Sequence, residues 1–219
     1  MKQRMRTIHI YGAAIAMLIA ICLSSCKKNR KRDYAVKIVT EWAGKKVLFP
    51  KGIPCTSMGI KDTSCVDLYN DNYKILLYVD SLGCTNCRLK LLSTWKKIIE
   101  ESDTVFGIKP EFAFFFQPKK AGKKDLQHIL KQHGFRYPVF IDNGNEIGKL
   151  NNFPSDPEYQ CFLLNRDNTV LMVGNPSYNQ GIWTLFKKII TRRDSKQSSL
   201  SVHASLQKKK GGAQDKIRN

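Results

Sequence analysis

Lys74-Ile75-Leu76-Leu77-Tyr78-Val79-Asp80-Ser81-Leu82-Gly83-Cys84-Thr85-Asn86-Cys87 is the stretch on which the fold turns. Lys74–Asp80 is a nearly continuous apolar run, the pattern of a strand buried on both faces. Two cysteines spaced Cys-x-x-Cys follow a short polar turn. Behind them Leu91, Leu92, Trp95, Ile98 and Ile99 recur at helical spacing, which predicts a helix from about Cys84 to Glu101. A thiol pair where a buried strand becomes a helix carries a chemical meaning. Thiol–disulfide exchange needs a thiolate, and an ordinary Cys with a pKa of about 8.5 supplies little of it at neutral pH. The unpaired N–H groups and dipole of a helix N-terminus favour the anion and lower such values to roughly 3.5–7.5. In that setting Cys84 is the exposed nucleophile, and Cys87, one turn on, attacks the mixed disulfide to release the partner. Arg88 and Lys90 add positive potential or are simply solvated.

The sequence on either side extends the pattern. Glu111–Phe116 reads as a second buried strand, its Phe112–Phe116 cluster as sheet core. Lys124–His133 reads as a helix with Leu126, Ile129 and Leu130 inward, ended by Gly134. Tyr137–Asp142 is a short strand and Glu146–Leu150 a helical turn. Cys161–Asn165 and Thr169–Val173 are strands joined by Arg166-Asp167-Asn168, a hairpin signal. Gln180–Thr191 closes the domain as an amphipathic helix with Ile182, Leu185, Phe186, Ile189 and Ile190. Upstream, Tyr34–Trp42 predicts a short helix with Val36, Val39 and Trp42 on one face, and Val47–Phe49 a strand stopped by Pro50. Lys51–Asn72 is turn-rich. Helices alternating with buried strands, then a hairpin and a helix, predict an α/β fold: a mixed central β-sheet flanked by helices, with an N-terminal extension.

The 219 residues carry 37 Lys and Arg against 18 Asp and Glu, a formal charge of +19. At 42% apolar and 25% charged the chain is not disordered throughout. The charge is concentrated at the ends: +3 over 1–25, +5 over 26–32 and +6 over 191–219, which leaves +5 for 33–190. Such a core has no basic strip interleaved with aromatics, so nucleic acid is not an expected partner. The basic ends are solvated or touch anionic lipid headgroups.

Met1–Arg6 is cationic and Ile8–Leu23 apolar, followed at once by Leu23-Ser24-Ser25-Cys26, the order of an export signal. That tetrapeptide resembles the lipobox of bacterial lipoproteins, which implies cleavage before Cys26 and acylation of its thiol. The alternative is an uncleaved anchor, and the five bases after the apolar run would then favour a cytoplasmic C-terminal side. The expected division is a signal peptide over 1–25, a basic tether and short helix over 26–41, a folded domain over 42–191, and a disordered basic tail over 192–219.

With Lys74–Cys87 as strand-to-CxxC, Tyr137–Asp142 as a later strand and Phe162–Asn168 as the hairpin, residues about 42–190 resemble the thioredoxin-like superfamily. The likeness is greatest to its membrane-tethered extracytoplasmic thiol-disulfide oxidoreductases and to the related peroxiredoxin-type domains. Trp42-x-Gly44-Lys45 also resembles lipoproteins of Bacteroidetes-type bacteria. The resemblance implies an enzyme without cofactor or metal, lipid-anchored through Cys26 and facing the periplasm. Its catalytic residues are Cys84 and Cys87, and its partners are protein thiols and disulfides of the envelope.

The chain departs from the family in several places. Gly83 replaces the usual Trp, and Thr85-Asn86 lacks the usual Pro. The family's cis-Pro ahead of the hairpin aligns with Tyr159 or Gln160, so either Pro157 takes its place or the feature is lost. Asp80 either assists proton transfer or caps the strand end.

Other readings stand beside the redox one. The pair could be a structural disulfide or half a metal site, or the fold a non-catalytic binding lipoprotein. A peroxiredoxin-type peroxidase ranks lower, because the Thr-x-x-Cys spacing is missing. Cys55 and Cys65, ten residues apart, suit a structural disulfide, although spacing does not fix their distance. Cys161 reads as a small apolar core residue, and His128 and His133 as surface residues.

Overall fold

A computed structural model describes residues 30–57, 60–61, 65–80, 91–107, 109–118 and 123–193. The leader with Cys26, the segment 81–90 with Cys84 and Cys87, and the tail from 194 lie outside the described residues. The chain divides after Trp42 into two compact units, each described by itself. In the first, helix α1 spans 30–42. Its buried apolar residues are Ile38 and Trp42, one turn apart, whereas Val36 and Val39 are exposed.

The second unit is built on a seven-stranded mixed sheet in the order β2-β1-β5-β4-β3-β6-β7. Its strands are β1 Cys55–Ser57, β2 Ile60–Lys61, β3 Lys74–Val79, β4 Glu111–Phe116, β5 Val139–Ile141, β6 Cys161–Leu164 and β7 Val170–Val173. The helices are α2 Leu92–Val105, α3 Lys123–Gln132, α4 Glu146–Asn151 and α5 over 180–193. Strands β3, β4 and β5 run parallel, which requires the crossovers that α2 and α3 supply. β6 pairs antiparallel with β3, and β7 with β6. β1 adds antiparallel to β5, and β2 to β1. The expected mixed sheet flanked by helices is the observed architecture.

β3 has a hydrogen-bonded neighbour on each side, and all six of its residues are buried. Alternate residues serve opposite faces. Ile75, Leu77 and Val79 join Phe112, Phe114 and Phe116 of β4 against Leu92, Trp95, Ile98 and Ile99 of α2 and Leu126 and Leu130 of α3. Trp183, Phe186 and Ile190 of α5 close this core. Leu185, expected inward, is instead exposed, and the expected stripe lacked Trp183. On the second face Phe115 stacks on Phe140 with ring centroids 4.6 Å apart and lies 6.0 Å from Phe49.

Val47–Phe49 is not a strand. The edge contact comes earlier, at Lys46 opposite Thr169, and Val47 N–H donates to Asn168 O at 2.8 Å. Leu48 fails to extend the ladder because one side chain satisfies its backbone. Asn151 Oδ1 accepts from Leu48 N–H, and Asn151 Nδ2 donates to Leu48 O, both at 2.8 Å. The turn-rich stretch from Lys51 contains the short β1–β2 edge hairpin that the sequence pattern did not suggest.

Candidate active site

The central strand ends at Val79, and the described chain stops at Asp80 to resume at Leu91. Cys84 is four residues beyond Asp80, and Cys87 four before Leu91. The carboxyl ends of parallel strands are where α/β sheets bind ligands.

At that edge of β3 lies a cleft of about 330 Å³, lined by Tyr78, Asp80, Gln117, Asn145, Gly148, Asn152, Phe153, Ser155 and Gln160. Tyr78 and Asp80, two residues apart, share one face of the strand. Asp80 is buried, and its Oδ2 accepts from Gln160 Nε2 at 2.7 Å. The second hydrogen of that amide goes to Pro154 O at 2.8 Å. Gln160 O in turn accepts from Tyr78 N–H at 2.9 Å. Gln160 is therefore tied to β3 through both backbone and side chain.

Residues Pro157–Tyr159 form one 3₁₀ turn, capped where Asp156 Oδ1 accepts from Glu158 N–H at 3.0 Å. Tyr159 is buried at its end. Among the described residues there is no cis peptide bond. Pro157 opens the turn, and Gln160 occupies the position directly ahead of β6 beside β3.

The opposite wall is α4. Asp142, fully buried, anchors its first turn: Oδ1 accepts from Glu146 N–H and Oδ2 from Ile147 N–H, both at 2.9 Å. Asn145 and Asn152 bracket the helix in the left-handed region at φ 54° and 51°. Tyr78 donates its hydroxyl to Asn145 Oδ1 at 2.7 Å, with Gln117 Oε1 at 3.4 Å. Gly148 makes this approach possible, since a Cβ there would sit 2.0 Å from Asn145 Oδ1 and 2.6 Å from the Tyr78 oxygen. The Phe153 ring, 4.8 Å from that of Tyr78, closes the floor.

Of the sequence-derived residues, the structure brings Asp80 and Gln160 together at the cleft, whereas Tyr159 is buried and is not among the residues that line it. Tyr78, Gln117, Asn145, Gly148, Asn152, Phe153 and Ser155 were missed. The one signal available for them was the spacing Asn145-x-x-Gly148-x-x-x-Asn152, a single face of a helix. Cys55, on the strand that pairs with β5, forms a disulfide with Cys65, their Cα atoms 6.2 Å apart. Cys161 is a buried free thiol, and burial pushes its pKa far above the ordinary value, which suits a packing residue. Among the described residues no cluster of three metal-ligating side chains occurs.

No family model matches the chain, and no curated protein does. Solved structures do. A thiol-disulfide oxidoreductase from Bacteroides fragilis is 13% identical over 64% of this chain and 99% of its own, with a TM-score of 0.44. Peroxiredoxin Q from Xanthomonas campestris is 13% identical over 67% of this chain and 99% of its own, at 0.46. The exposed lipoprotein thioredoxin from Streptococcus pneumoniae is 15% identical over 55% and 87%, at 0.40.

Proposed function

We propose that this chain, whose three parallel strands followed by an antiparallel hairpin make a thioredoxin-like fold, is a thiol–disulfide oxidoreductase of the bacterial cell envelope. Cys84 attacks and Cys87 resolves. The observation that carries the reading is the position of the dithiol in the chain: Cys84-Thr85-Asn86-Cys87 falls between the last residue of the central strand and the first of α2.

In the reducing direction the Cys84 thiolate attacks one sulfur of a partner disulfide. A Cys84–partner bond forms, the partner S–S bond breaks, and the departing thiolate takes up a proton. The Cys87 thiolate then attacks Cys84 Sγ and releases the second partner thiol. Two electrons have passed to the partner, and the chain holds a Cys84–Cys87 disulfide. The oxidising direction is the same sequence reversed, and the reduction potential selects between them. Asp80, buried and held by Gln160 at the end of β3, is the carboxylate that comes closest before Cys84 in the sequence, and in this reading it supports proton movement at the pair.

Acylation of Cys26 holds the protein at the membrane, facing envelope proteins whose thiols and disulfides are its partners. No described helix is long and apolar enough to cross a membrane. Insulin reduction with dithiothreitol tests the chemistry. Wild type is expected to accelerate precipitation and Cys84→Ser to fall to the uncatalysed rate. Equal rates would overturn the reading and leave a binding module in its place.

A further inference from the structure

The chain contains one Asn-Gly pair, Asn143-Gly144, and both residues are exposed. They are the middle residues of the turn between β5 and α4, closed where Asn145 N–H donates to Asp142 O. At 3.3 Å that bond is longer than the usual N–H···O range, so the middle of the turn is loosely held. Among the described residues the Gly144 N–H has no acceptor. With no side chain, Gly144 leaves its nitrogen open to the Asn143 amide and lets the backbone rotate toward it. The two ends of the turn, by contrast, are fixed. Asp142 N–H donates to Phe116 O at 2.9 Å, and the Asp142 carboxylate holds two N–H groups of α4. Asn145 accepts the Tyr78 hydroxyl on its side chain and Lys149 N–H on its carbonyl, at 2.7 and 3.0 Å.

We infer that Asn143 is a site of spontaneous modification: it loses its side-chain amide through a succinimide with Gly144, and the isoaspartyl product loosens the α4 wall of the cleft. Gly144 N attacks Asn143 Cγ. An N–Cγ bond forms, the Cγ–Nδ2 bond breaks, and ammonia leaves with the Gly144 amide proton. Water then opens the five-membered ring. Breaking the new N–Cγ bond gives an ordinary aspartyl residue, and breaking the original peptide bond gives an isoaspartyl one. No electrons are gained or lost, and water is the only co-reactant. In the isoaspartyl form the main chain runs through Cβ and Cγ and is one atom longer. Its free α-carboxylate lies beside the buried carboxylate of Asp142 and repels it. With both ends fixed, the extra atom moves Asn145 away from Tyr78 or Asp142 away from α4. The ordinary aspartyl form adds a charge but leaves the backbone length unchanged, which separates the two effects.

The test is incubation of the full chain in warm, mildly alkaline buffer. Peptide mapping by mass spectrometry locates the change, and methyl transfer from S-adenosylmethionine by protein isoaspartyl methyltransferase counts isoaspartate. Wild type should exchange an amide for a carboxyl at Asn143 ahead of every other asparagine. Gly144→Ala and Asn143→Gln should lose most of that gain. The first adds a Cβ that meets only the Glu146 side chain, 3.4 Å from its Cγ, and the second would need a six-membered ring. Aged wild type should unfold at lower urea in proportion to its isoaspartate, whereas aged Gly144→Ala and fresh Asn143→Asp should stay close to their unaged parents. In Tyr78→Phe, which already lacks the bond to Asn145, the ageing shift should shrink. No isoaspartate at Asn143, or an equal yield in Gly144→Ala, overturns the assignment. An unmoved urea midpoint, or a shift matched by Asn143→Asp or unchanged in Tyr78→Phe, overturns the effect on the wall. None of these readouts depends on the thiol chemistry.

Discussion

Gly148→Ala is the sharpest test of the cleft's construction. The new methyl would stand 2.0 Å from Asn145 Oδ1 and 2.6 Å from the Tyr78 oxygen, well inside contact distance. Asn145 has little freedom to retreat, because it holds φ 54° ahead of the helix and accepts the Tyr78 hydroxyl. Overpacking of this kind costs about 1–3 kcal/mol. Loss of the 2.7 Å hydrogen bond adds about 0.5–1.5 kcal/mol. The gain from replacing a mid-helix glycine offsets about 0.5–1 kcal/mol. The net expectation is a loss of about 2 kcal/mol, or about 4–8 °C in Tm for a domain of this size. Urea and thermal unfolding measure it, with Gly107→Ala as the control. A Cβ on Gly107 would meet nothing within 4 Å, so that substitution should stay within about 0.5 kcal/mol. In an Asn145→Gly background the nearest obstructing atom is gone, and Gly148→Ala should lose at least half its cost. A Gly148→Ala protein as stable as wild type, or the same loss in both backgrounds, would refute the reasoning.

Two further outcomes follow from the same network. Asp142→Ala removes both acceptors at the start of α4 and leaves the buried Ile147 N–H unpaired, for an expected loss of about 3 kcal/mol in urea unfolding. Glu101 receives a hydrogen bond from Lys187 and another from Trp183 Nε1 at 2.7 Å, and the Lys187 bond chiefly holds its pKa below the ordinary 4.5. Because the folded value is the lower one, its stabilisation is present above pH 4.5 and is lost as pH falls through the folded pKa. Lys187→Met should therefore narrow the drop in urea midpoint between neutral and acid pH, and an unchanged acid limb would count against this tie between α2 and α5.

Much of the fold is legible because burial on both faces writes a continuous apolar word. β3 and β4 are buried throughout, apart from half-buried Glu111, and that run spells both. α2 shows in the spacing of Leu92, Trp95, Ile98 and Ile99, all buried as expected, although it runs on to Val105. β1 and β2 have three and two residues and sit at the sheet edge, too short to show a period. Leu48 misleads for a different reason. Its apolar neighbours spell a strand, but a side-chain amide 103 residues away takes the place of the neighbouring strand. The cysteine pair is visible because its meaning is local. The cleft is not, because its lining comes from 78–80, 117, 145–155 and 160, and only the sheet register joins them. Of its polar groups, Asp80 carries a local signal at the end of a buried strand and Gln160 another ahead of the hairpin, and Asn145 and Asn152 have only their spacing along one helix face.

The way β3 ends ties these observations together. Gln117 N–H donates to Val79 O at 2.8 Å on one flank, and Tyr78 N–H donates to Gln160 O at 2.9 Å on the other. The strand is thus held on both sides up to its last residues, and the Asp80 carboxylate is held again by the Gln160 amide. Whatever chemistry segment 81–90 performs leaves the sheet from a fixed point, between the residue that follows β4 and the residue that precedes β6. Pre-organisation of this kind lowers the entropy lost on meeting a partner. It also separates two roles that a single substitution would confuse. Gln160→Leu removes the amide that holds Asp80 but leaves the backbone bond to Tyr78, so strand pairing survives. If Asp80 acts only as a strand cap, that variant loses stability and keeps its rate of disulfide exchange relative to Cys84→Ser. If the held carboxylate supports the dithiol, the rate falls and its pH profile shifts even at temperatures where the protein remains fully folded.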